Sequence, residues 1–172
     1  MKALTHLLFS FFLYFIALKA FHLSFSPLFL ALVLFSSLLP DIDSANSFIN
    51  RKLKVTKAVA VFAKHRGFWH SIFGLLLILF LLFLLSTFLT IPASVFLALS
   101  FGYLSHLLSD SLTVTGIKWF WKKGKVRGVI RTGSFSEKVF FMMLLLALII
   151  VVSLSYKKEI KAFTAFFLKL FK

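Results

Sequence analysis

Long apolar runs separated by short polar segments make up the chain as far as residue 156. The run 71–90 contains no charged residue, and the run 93–109 follows it after a break at Pro92. A helix needs about 20 apolar residues to cross a bilayer, and both runs are close to that length, as is the run 139–156. The pattern therefore predicts three membrane-spanning helices in this part of the chain.

Two shorter apolar runs, 3–18 and 27–40, come first. The second has only about 14 residues, so we expect a short or re-entrant hairpin that leaves and returns on the same side. A cleaved signal peptide is the alternative for the first run, but no small-x-small cleavage site follows it. The predicted fold class is all-α: an integral membrane bundle of about five apolar helices. It forms one domain, 1–156, and an interfacial amphipathic C-terminal helix, 157–172, follows it.

The composition agrees with a lipid environment. Hydrophobic residues make up 60% of the chain and the mean hydropathy is +1.00, which is well above the range of soluble domains. The net charge of +15 would suggest nucleic acid in a soluble protein. Here the basic residues lie between apolar runs, where anionic headgroups account for them, so the bilayer is the predicted partner and nucleic acid is not. The absence of cysteine excludes disulfides and thiolate metal sites.

The basic residues also predict an orientation. Two loops carry six Lys or Arg each, namely Arg51, Lys52, Lys54, Lys57, Lys64 and Arg66 in one and Lys118, Lys122, Lys123, Lys125, Arg127 and Arg131 in the other. The turns 19–26 and 88–94 contain only Lys19. By the positive-inside rule both basic loops are cytoplasmic, in a multi-pass protein of the cell (inner or plasma) membrane. The same rule does not decide on which side of the membrane the basic tail, 157–172, lies.

Most acids and histidines fall at one predicted depth, the cytoplasmic ends of the helices. They come from five separate segments: His6 from the first, Asp41 and Asp43 from the second, His65 and His70 from the third, His106 and Asp110 from the fourth, and Glu137 from the fifth. His22 and Glu159 fall elsewhere. Helices that pack side by side would bring the first group together.

The local spacings suit metal ligation. His106 and Asp110 are four residues apart, so both point to one side of a helix. Asp41 and Asp43 follow Pro40, which ends a helix and allows an extended turn. Imidazole and carboxylate ligands without thiolate suit zinc, with manganese or iron as alternatives. These groups outnumber the three or four ligands of one catalytic zinc, so we predict two or more ions.

Each candidate also has a purely structural explanation. Glu137 could face the dipole at a helix start, with Ser134 as the N-cap of a capping box. Asp41 could belong to a turn, and His106 could pair locally with Asp110. The placement of five independent segments at one depth favours the metal site over these separate explanations.

Four stretches in this order, "LLPDID", "HRGFWHS", "GYLSHLLSDSLTVTG" and "TGSFSEK", resemble the YdjM-like family. These are LexA-binding, inner membrane-associated proteins grouped as membrane-bound metal-dependent hydrolases. The resemblance covers roughly residues 4 to 145. It implies phosphoester hydrolysis, with ligands similar in style to those of zinc-dependent phospholipase C. The matching polar positions are the eight candidate ligands already named. Trp69 and Lys122 depart from the pattern, since they replace a Thr and a Pro.

The predicted function is therefore membrane-bound, metal-dependent hydrolysis of a phosphoester, with a lipid as one candidate substrate. A metal-activated water would attack at the cytoplasmic interface. Arg66 would neutralise a phosphate oxygen, and Glu137 or His6 would act as general base or complete the ligand shell. The alternatives are a divalent-metal transporter and a non-enzymatic adaptor with a structural metal. No charged residue lies at the middle of any run, which argues against transport.

Overall fold

A computed structural model of the protein describes residues 1–43 and 67–155, without the side chains of residues 42 and 43. In these ranges the elements are α1 (Ala3–Ala20), α2 (Pro27–Ser36), α3 (Ile72–Ser86), α4 (Ala93–Ser111), β1 (Ile117–Phe120), β2 (Lys123–Val126) and α5 (Phe135–Ser155). A 3₁₀ turn, Leu39–Asp43, follows α2. Every predicted apolar run forms a helix, so the mostly helical architecture is confirmed. The predicted tail, 157–172, lies outside the described residues.

The strictly all-α prediction is wrong, because residues 117–126 form an antiparallel β-hairpin. Ile117 pairs with Val126 and Phe120 pairs with Lys123. Ile117 is buried and its neighbour Lys118 is exposed, which is the two-residue alternation of a strand. The lysines between the aromatic residues led the sequence analysis to assign this segment to a basic loop, although the alternation was present.

Helix α4 packs against α1, α2 and α3 and so occupies the centre of the bundle. Its contact with α2 depends on Gly102, where a Cβ would collide with the Val33 carbonyl and the Ser36 hydroxyl. Small residues let two helix backbones approach closely in this way. The Ser36 hydroxyl also donates to the Leu99 carbonyl at 2.6 Å. This packing holds the end of α2, and the turn after it, against the second half of α4.

Helices α1 and α2 pack against each other and are joined by residues 21–26, as expected for the predicted hairpin. The Tyr14 hydroxyl accepts from the Ser26 N–H at 3.0 Å and donates to the Ser26 carbonyl at 3.2 Å. The Ser26 hydroxyl in turn accepts from the Phe29 N–H and caps the start of α2. Tyr14 lies in a buried apolar cluster that includes Leu148 from α5.

Within the described ranges, two helices are long and apolar enough to cross a membrane. They are α1, with 18 residues and a mean hydropathy of 1.7, and α5, with 21 residues and 2.6. The apolar helices α2 and α3 are shorter. Large apolar side chains such as Phe80 and Phe83 on α3 and Met142 and Met143 on α5 are exposed. Large exposed apolar side chains in this number are typical of a surface that contacts lipid or protein.

Candidate metal centre

Five predicted ligands meet at one end of the bundle, and we call them the acceptor cluster: His6, Asp41, His70, His106 and Asp110. They come from the start of α1, the 3₁₀ turn, the segment before α3 and the last turns of α4. The three histidines and Asp110 are at most 1% exposed, and the Asp41 side chain is 20% exposed. The structure thus brings these five residues from distant segments together, as expected.

The acceptor cluster contains two overlapping groups of potential metal ligands. His6, His106 and Asp110 form one group, and Asp41, His70 and His106 form the other. In each group the ligand atoms lie within 4.8 Å of one another. The Nε2 atom of His106 lies 3.9 Å from Asp41 Oδ1 and 3.8 Å from Asp110 Oδ2, so this imidazole faces both carboxylates.

The orientation of His106 is fixed by the end of α2. Its Nδ1 lies 2.7 Å from the Ser37 carbonyl oxygen. A carbonyl oxygen can only accept a hydrogen bond, so Nδ1 must carry the proton. In the neutral imidazole the Nε2 atom then has a free lone pair, which points toward the two carboxylates. This is the usual arrangement behind a metal-ligating histidine.

The orientation of His6 is fixed in a similar way, with Ser109 as its partner. The Ser109 hydroxyl donates to the His106 carbonyl at 2.8 Å and lies 2.6 Å from His6 Nδ1. Because its proton is already used, its oxygen accepts from His6 Nδ1–H. The lone pair of His6 Nε2 therefore also faces the cluster. The His6 and His106 rings stack with their centroids 3.8 Å apart.

The cluster therefore has a surplus of acceptors. His6 Nε2 and His106 Nε2 are fully buried and have no hydrogen-bond partner among the residues that the structure describes. His6 Nε2 lies 3.4 Å from Asp110 Oδ1, so two acceptors face each other. The Met1 amino group, 2.5 Å from Asp110 Oδ1, supplies one positive charge against the two carboxylates. Buried lone pairs of this kind are stabilised by a cation, so the donor set fits a divalent metal ion.

His70 and Asp41 complete the exposed side of the cluster. His70 Nε2 lies 3.4 Å from Asp41 Oδ1 and 3.7 Å from Asp110 Oδ2. Burial by itself would raise the pKa of the Asp41 carboxyl, but the hydrogen bond that it accepts from His70 lowers the pKa. The pKa of Asp41 is consequently held below its usual range, and the group is ionised at neutral pH, as a metal ligand must be.

The segment that carries His70 is held against α4 by a hydrogen bond and a close contact. The Tyr103 hydroxyl donates to the Trp69 carbonyl, and a Cβ on Gly74 would collide with that hydroxyl. The Ser71 hydroxyl donates to the Phe68 carbonyl at 2.5 Å. These contacts place His70 opposite His106, with ring centroids 5.2 Å apart.

Glu137 is buried at the same end of the bundle but lies outside both ligand groups. Its Oε1 accepts from the Lys2 N–H at 2.7 Å and from the Thr5 hydroxyl at 2.9 Å. Its Oε2 accepts from the Gly133 N–H at 2.6 Å, while Ser134 caps the start of α5 by accepting from the Ser136 N–H. Glu137 thus joins the start of α1 to the start of α5. We call Glu137, together with the Lys2 N–H, the Thr5 hydroxyl and the Gly133 N–H that donate to it, the Glu137 clasp.

The other predicted site residues cannot be placed. The Asp43 side chain and all of His65 and Arg66 lie outside the described part of the chain. The sequence analysis also missed two groups that orient the imidazoles, Ser109 and the Ser37 carbonyl. Ser109 was detectable in principle, because it stands three residues after His106 on the same helical face. The Ser37 carbonyl gave no sequence signal, because any residue has one.

Comparison with known proteins gives a consistent assignment. The profile of the family described as "YdjM inner membrane protein" matches residues 1–171. The chain is 42% identical over 88 residues to "Inner membrane protein YdjM" of Escherichia coli (strain K12), and equally to that of Shigella flexneri. These alignments cover 49% of this chain and 44% of each relative. The chain thus matches less than half the length of these two relatives.

A Bacillus protein gives a longer alignment. "Uncharacterized protein YvsG" of Bacillus subtilis (strain 168) is 34% identical over 133 residues, which is 74% of this chain and 81% of that protein. No solved structure gives a significant match. Because the family profile extends over essentially the whole chain, and because the relatives that carry its name are inner membrane proteins, this protein is a member of the YdjM inner membrane protein family.

Proposed function

We propose that this protein is a membrane-bound hydrolase whose acceptor cluster holds divalent metal ions. The observation that carries the proposal is the pair of buried Nε2 atoms on His6 and His106. Their Nδ1 protons are fixed by Ser109 and the Ser37 carbonyl, so both lone pairs face the Asp110 carboxylate. Bound there, a divalent ion would lower the pKa of a coordinated water toward neutrality and would polarise an ester oxygen.

A metal-free ion-pair network is the structural alternative, in which the histidines are protonated. The stacking of His6 on His106, at 3.8 Å between centroids, argues against it. Two positively charged rings at that distance would repel each other. Neutral imidazoles and ionised carboxylates are the protonation states that metal ions require.

The ligand types support zinc, with manganese or iron as alternatives. One imidazole nitrogen binds one ion, so His106 cannot serve both ligand groups at once. Two ions therefore require further ligands, and the sequence-predicted candidates are Asp43 and His65. Arg66 remains the proposed contact for a phosphate oxygen. The three hydrogen bonds that Glu137 accepts support a positioning role, rather than the role of a base, for this residue.

The position of the cluster supports an enzyme over a transporter. His6 lies in the first turn of α1, and Asp110 lies in the last turn of α4. Transport sites lie near the bilayer midplane, between broken helices. We propose a multi-pass arrangement in which this end of the bundle faces the cytoplasm, level with the headgroups. A phosphoester is the substrate class that we propose, because metal and guanidinium groups both stabilise phosphate oxygens.

Metal analysis and an activity assay on the purified full-length protein test this proposal. We expect more than one zinc ion per chain on titration, and zinc-dependent hydrolysis of the chromogenic phosphodiester bis(4-nitrophenyl) phosphate. The variant His106→Ala should lose both zinc binding and hydrolysis. The matched control is His22→Asn, because His22 is exposed at the opposite end of α1 and has a φ of +51°, which Asn tolerates.

Three outcomes would contradict the proposal in different ways. A protein that neither contains nor binds metal would exclude the metal centre. Metal binding without hydrolysis would indicate the adaptor with a structural metal. Metal binding with metal uptake into sealed vesicles would indicate the transporter.

A further inference from the structure

The β-hairpin has a strongly basic surface that also exposes aromatic rings. We call it the hairpin surface, and its exposed members are Lys118, Phe120, Trp121, Lys122, Lys123 and Lys125. Phe120 is 61% exposed and Trp121 is 45% exposed. From residue 111 to residue 136 the sequence contains no acid, so the positive charge has no local counterpart. A surface that combines lysines with exposed aromatics is suited to the boundary between water and lipid.

The turn of the hairpin indicates that the Trp121 side chain has a role of its own. Trp121 is the first residue of the two-residue turn between the paired residues Phe120 and Lys123. Its φ is +55°, at a position where glycine is the usual residue. A bulky residue is strained in this conformation. Trp121 packs edge-on against Phe68 and lies under the Lys122 ammonium, yet almost half of it stays exposed.

The hairpin is joined to two of the segments that carry the acceptor cluster. The Trp119 indole N–H donates to the Ser111 hydroxyl at 3.0 Å, and Ser111 follows Asp110 in the chain. Trp121 contacts Phe68, which is two residues before His70. The buried residue Ile117 belongs to the same apolar cluster as residues of α3 and α4. These contacts fix the hairpin against the segments that carry Asp110 and His70.

We propose that the hairpin surface binds the headgroup of an anionic phospholipid and brings it to the metal centre. Anionic phospholipids are then the substrate class, a step that rests on the proposed function. The lysines attract the negatively charged surface of the membrane, and the exposed rings enter the interfacial layer. A free phosphate in water would gain nothing from Phe120 and Trp121, whereas a lipid contacts both parts of the surface.

Tryptophan fluorescence of the full-length protein in nanodiscs tests this binding directly. The part of the signal that depends on Trp121 is obtained by subtracting the spectrum of Trp121→Gly. This variant should fold, because glycine relaxes the turn. We expect brominated phosphatidylglycerol to quench that part at least about twofold more than brominated phosphatidylcholine at equal mole fraction. High salt should remove the excess, because it screens exposed charges.

A lysine series separates specific binding from general contact with lipid. In the triple variant Lys122→Gln, Lys123→Gln and Lys125→Gln, the two brominated lipids should quench the Trp121 fluorescence equally. The matched control is Lys19→Gln, an exposed lysine at the opposite end of α1, which should keep the preference. Equal quenching of the unmodified protein by the two lipids would overturn the proposal, as would a preference that the triple variant retains.

The lipid preference and the metal centre can fail separately. The quenching assay needs neither metal nor turnover, and the zinc titration is done in detergent without phospholipid. Zinc binding without a phosphatidylglycerol preference would overturn only the hairpin proposal. The preference without zinc binding would overturn the proposed function and leave the lipid contact standing. If both hold, the triple lysine variant should hydrolyse phosphatidylglycerol more slowly in vesicles, and unaltered turnover there would exclude the hairpin from substrate binding.

Discussion

Asp110 and Glu137 are two buried carboxylates at the same end of the bundle, but their surroundings are opposite. Asp110 faces the Nε2 atoms of His6 and His106 at 3.4 and 3.8 Å. Neither nitrogen carries a proton in the neutral tautomers that the structure fixes. Glu137 is surrounded by donors, namely two backbone N–H groups and the Thr5 hydroxyl. Asp110 accepts from the Met1 amino group but also faces two unprotonated imidazole nitrogens, whereas the hydrogen-bond partners of Glu137 in the described part of the chain are all donors.

The comparison separates two uses of a buried acid. Burial alone does not mark a ligand, because Glu137 is only 3% exposed and is satisfied by the protein itself. What marks the acceptor cluster is the pair of buried Nε2 atoms, on His6 and His106, that have no hydrogen-bond partner among the described residues. The Glu137 clasp stabilises the starts of two helices. In our proposal the acceptor cluster binds a cation, whereas the Glu137 clasp needs none.

The largest effect is expected for the two carboxylates of the acceptor cluster. Asp41→Ala or Asp110→Ala should each lower zinc affinity at least about 100-fold, more than loss of an outer-shell partner does. The double variant should be no worse than the worse single variant, because residues that act as one unit are not additive. A double-mutant cycle on zinc binding in detergent measures this.

Thermal melts of the same variants provide the control for folding. Losses that simply add would mean that the two carboxylates have no shared partner. Losses that follow the unfolding temperature alone would give Asp41 and Asp110 the structural role that Glu137 has.

An intermediate effect is expected for Ser109, which orients the His6 imidazole and is not itself a proposed ligand. Ser109→Ala removes the acceptor for His6 Nδ1–H, so zinc affinity should fall about 10- to 100-fold. Ser105→Ala is the matched control. Ser105 is equally buried on the same helix, but its hydroxyl contacts Ser10 and the Gly102 carbonyl and no imidazole. Equal losses in the two variants would mean that Ser109 matters only for packing.

The smallest effect on zinc affinity is expected for substitution of Glu137. Glu137→Gln keeps the shape of the side chain, but it turns an amide N–H₂ toward a hydrogen-bond donor, either Gly133 N–H or the donors Lys2 N–H and Thr5 hydroxyl. We expect unchanged zinc affinity together with a destabilisation of about 1–3 kcal/mol, the usual effect of an unsatisfied buried group. Thermal unfolding and zinc titration of the same sample measure both. A loss of zinc at unchanged stability would make Glu137 a ligand and would erase the distinction between the two carboxylates.

Much of this arrangement was predictable from the sequence, because membrane helices impose strong constraints. The apolar runs gave the helices, and the basic loops gave a common depth to their ends. That common depth predicted the meeting of His6, His70 and Asp110, although these residues are up to 104 positions apart. The i, i+4 spacing also placed His106 and Asp110 on one side of α4, as found.

The rest depended on information that a one-dimensional pattern lacks. Glu137 stands at a helix start, where an acid can ligate a metal or accept from backbone N–H groups. Only the three-dimensional position of Lys2 and Thr5 shows the donors around it. The β-hairpin was missed because four-residue strands rich in lysine look like an exposed loop. The orientation of His106 depends on a backbone carbonyl, which is the same in every residue.

The shortness of α2 has a consequence for the bilayer around the protein. Ten residues of α-helix span about 15 Å, which is roughly half of the hydrocarbon thickness. In the proposed multi-pass arrangement its lipid-facing side chains, such as Leu28 and Phe35, cannot match a bilayer of full thickness. We therefore expect the membrane to be locally thinned beside α2. Such thinning would keep the headgroup layer level with the turn that carries Asp41 although α2 is short, so ions and lipid headgroups would reach the centre directly.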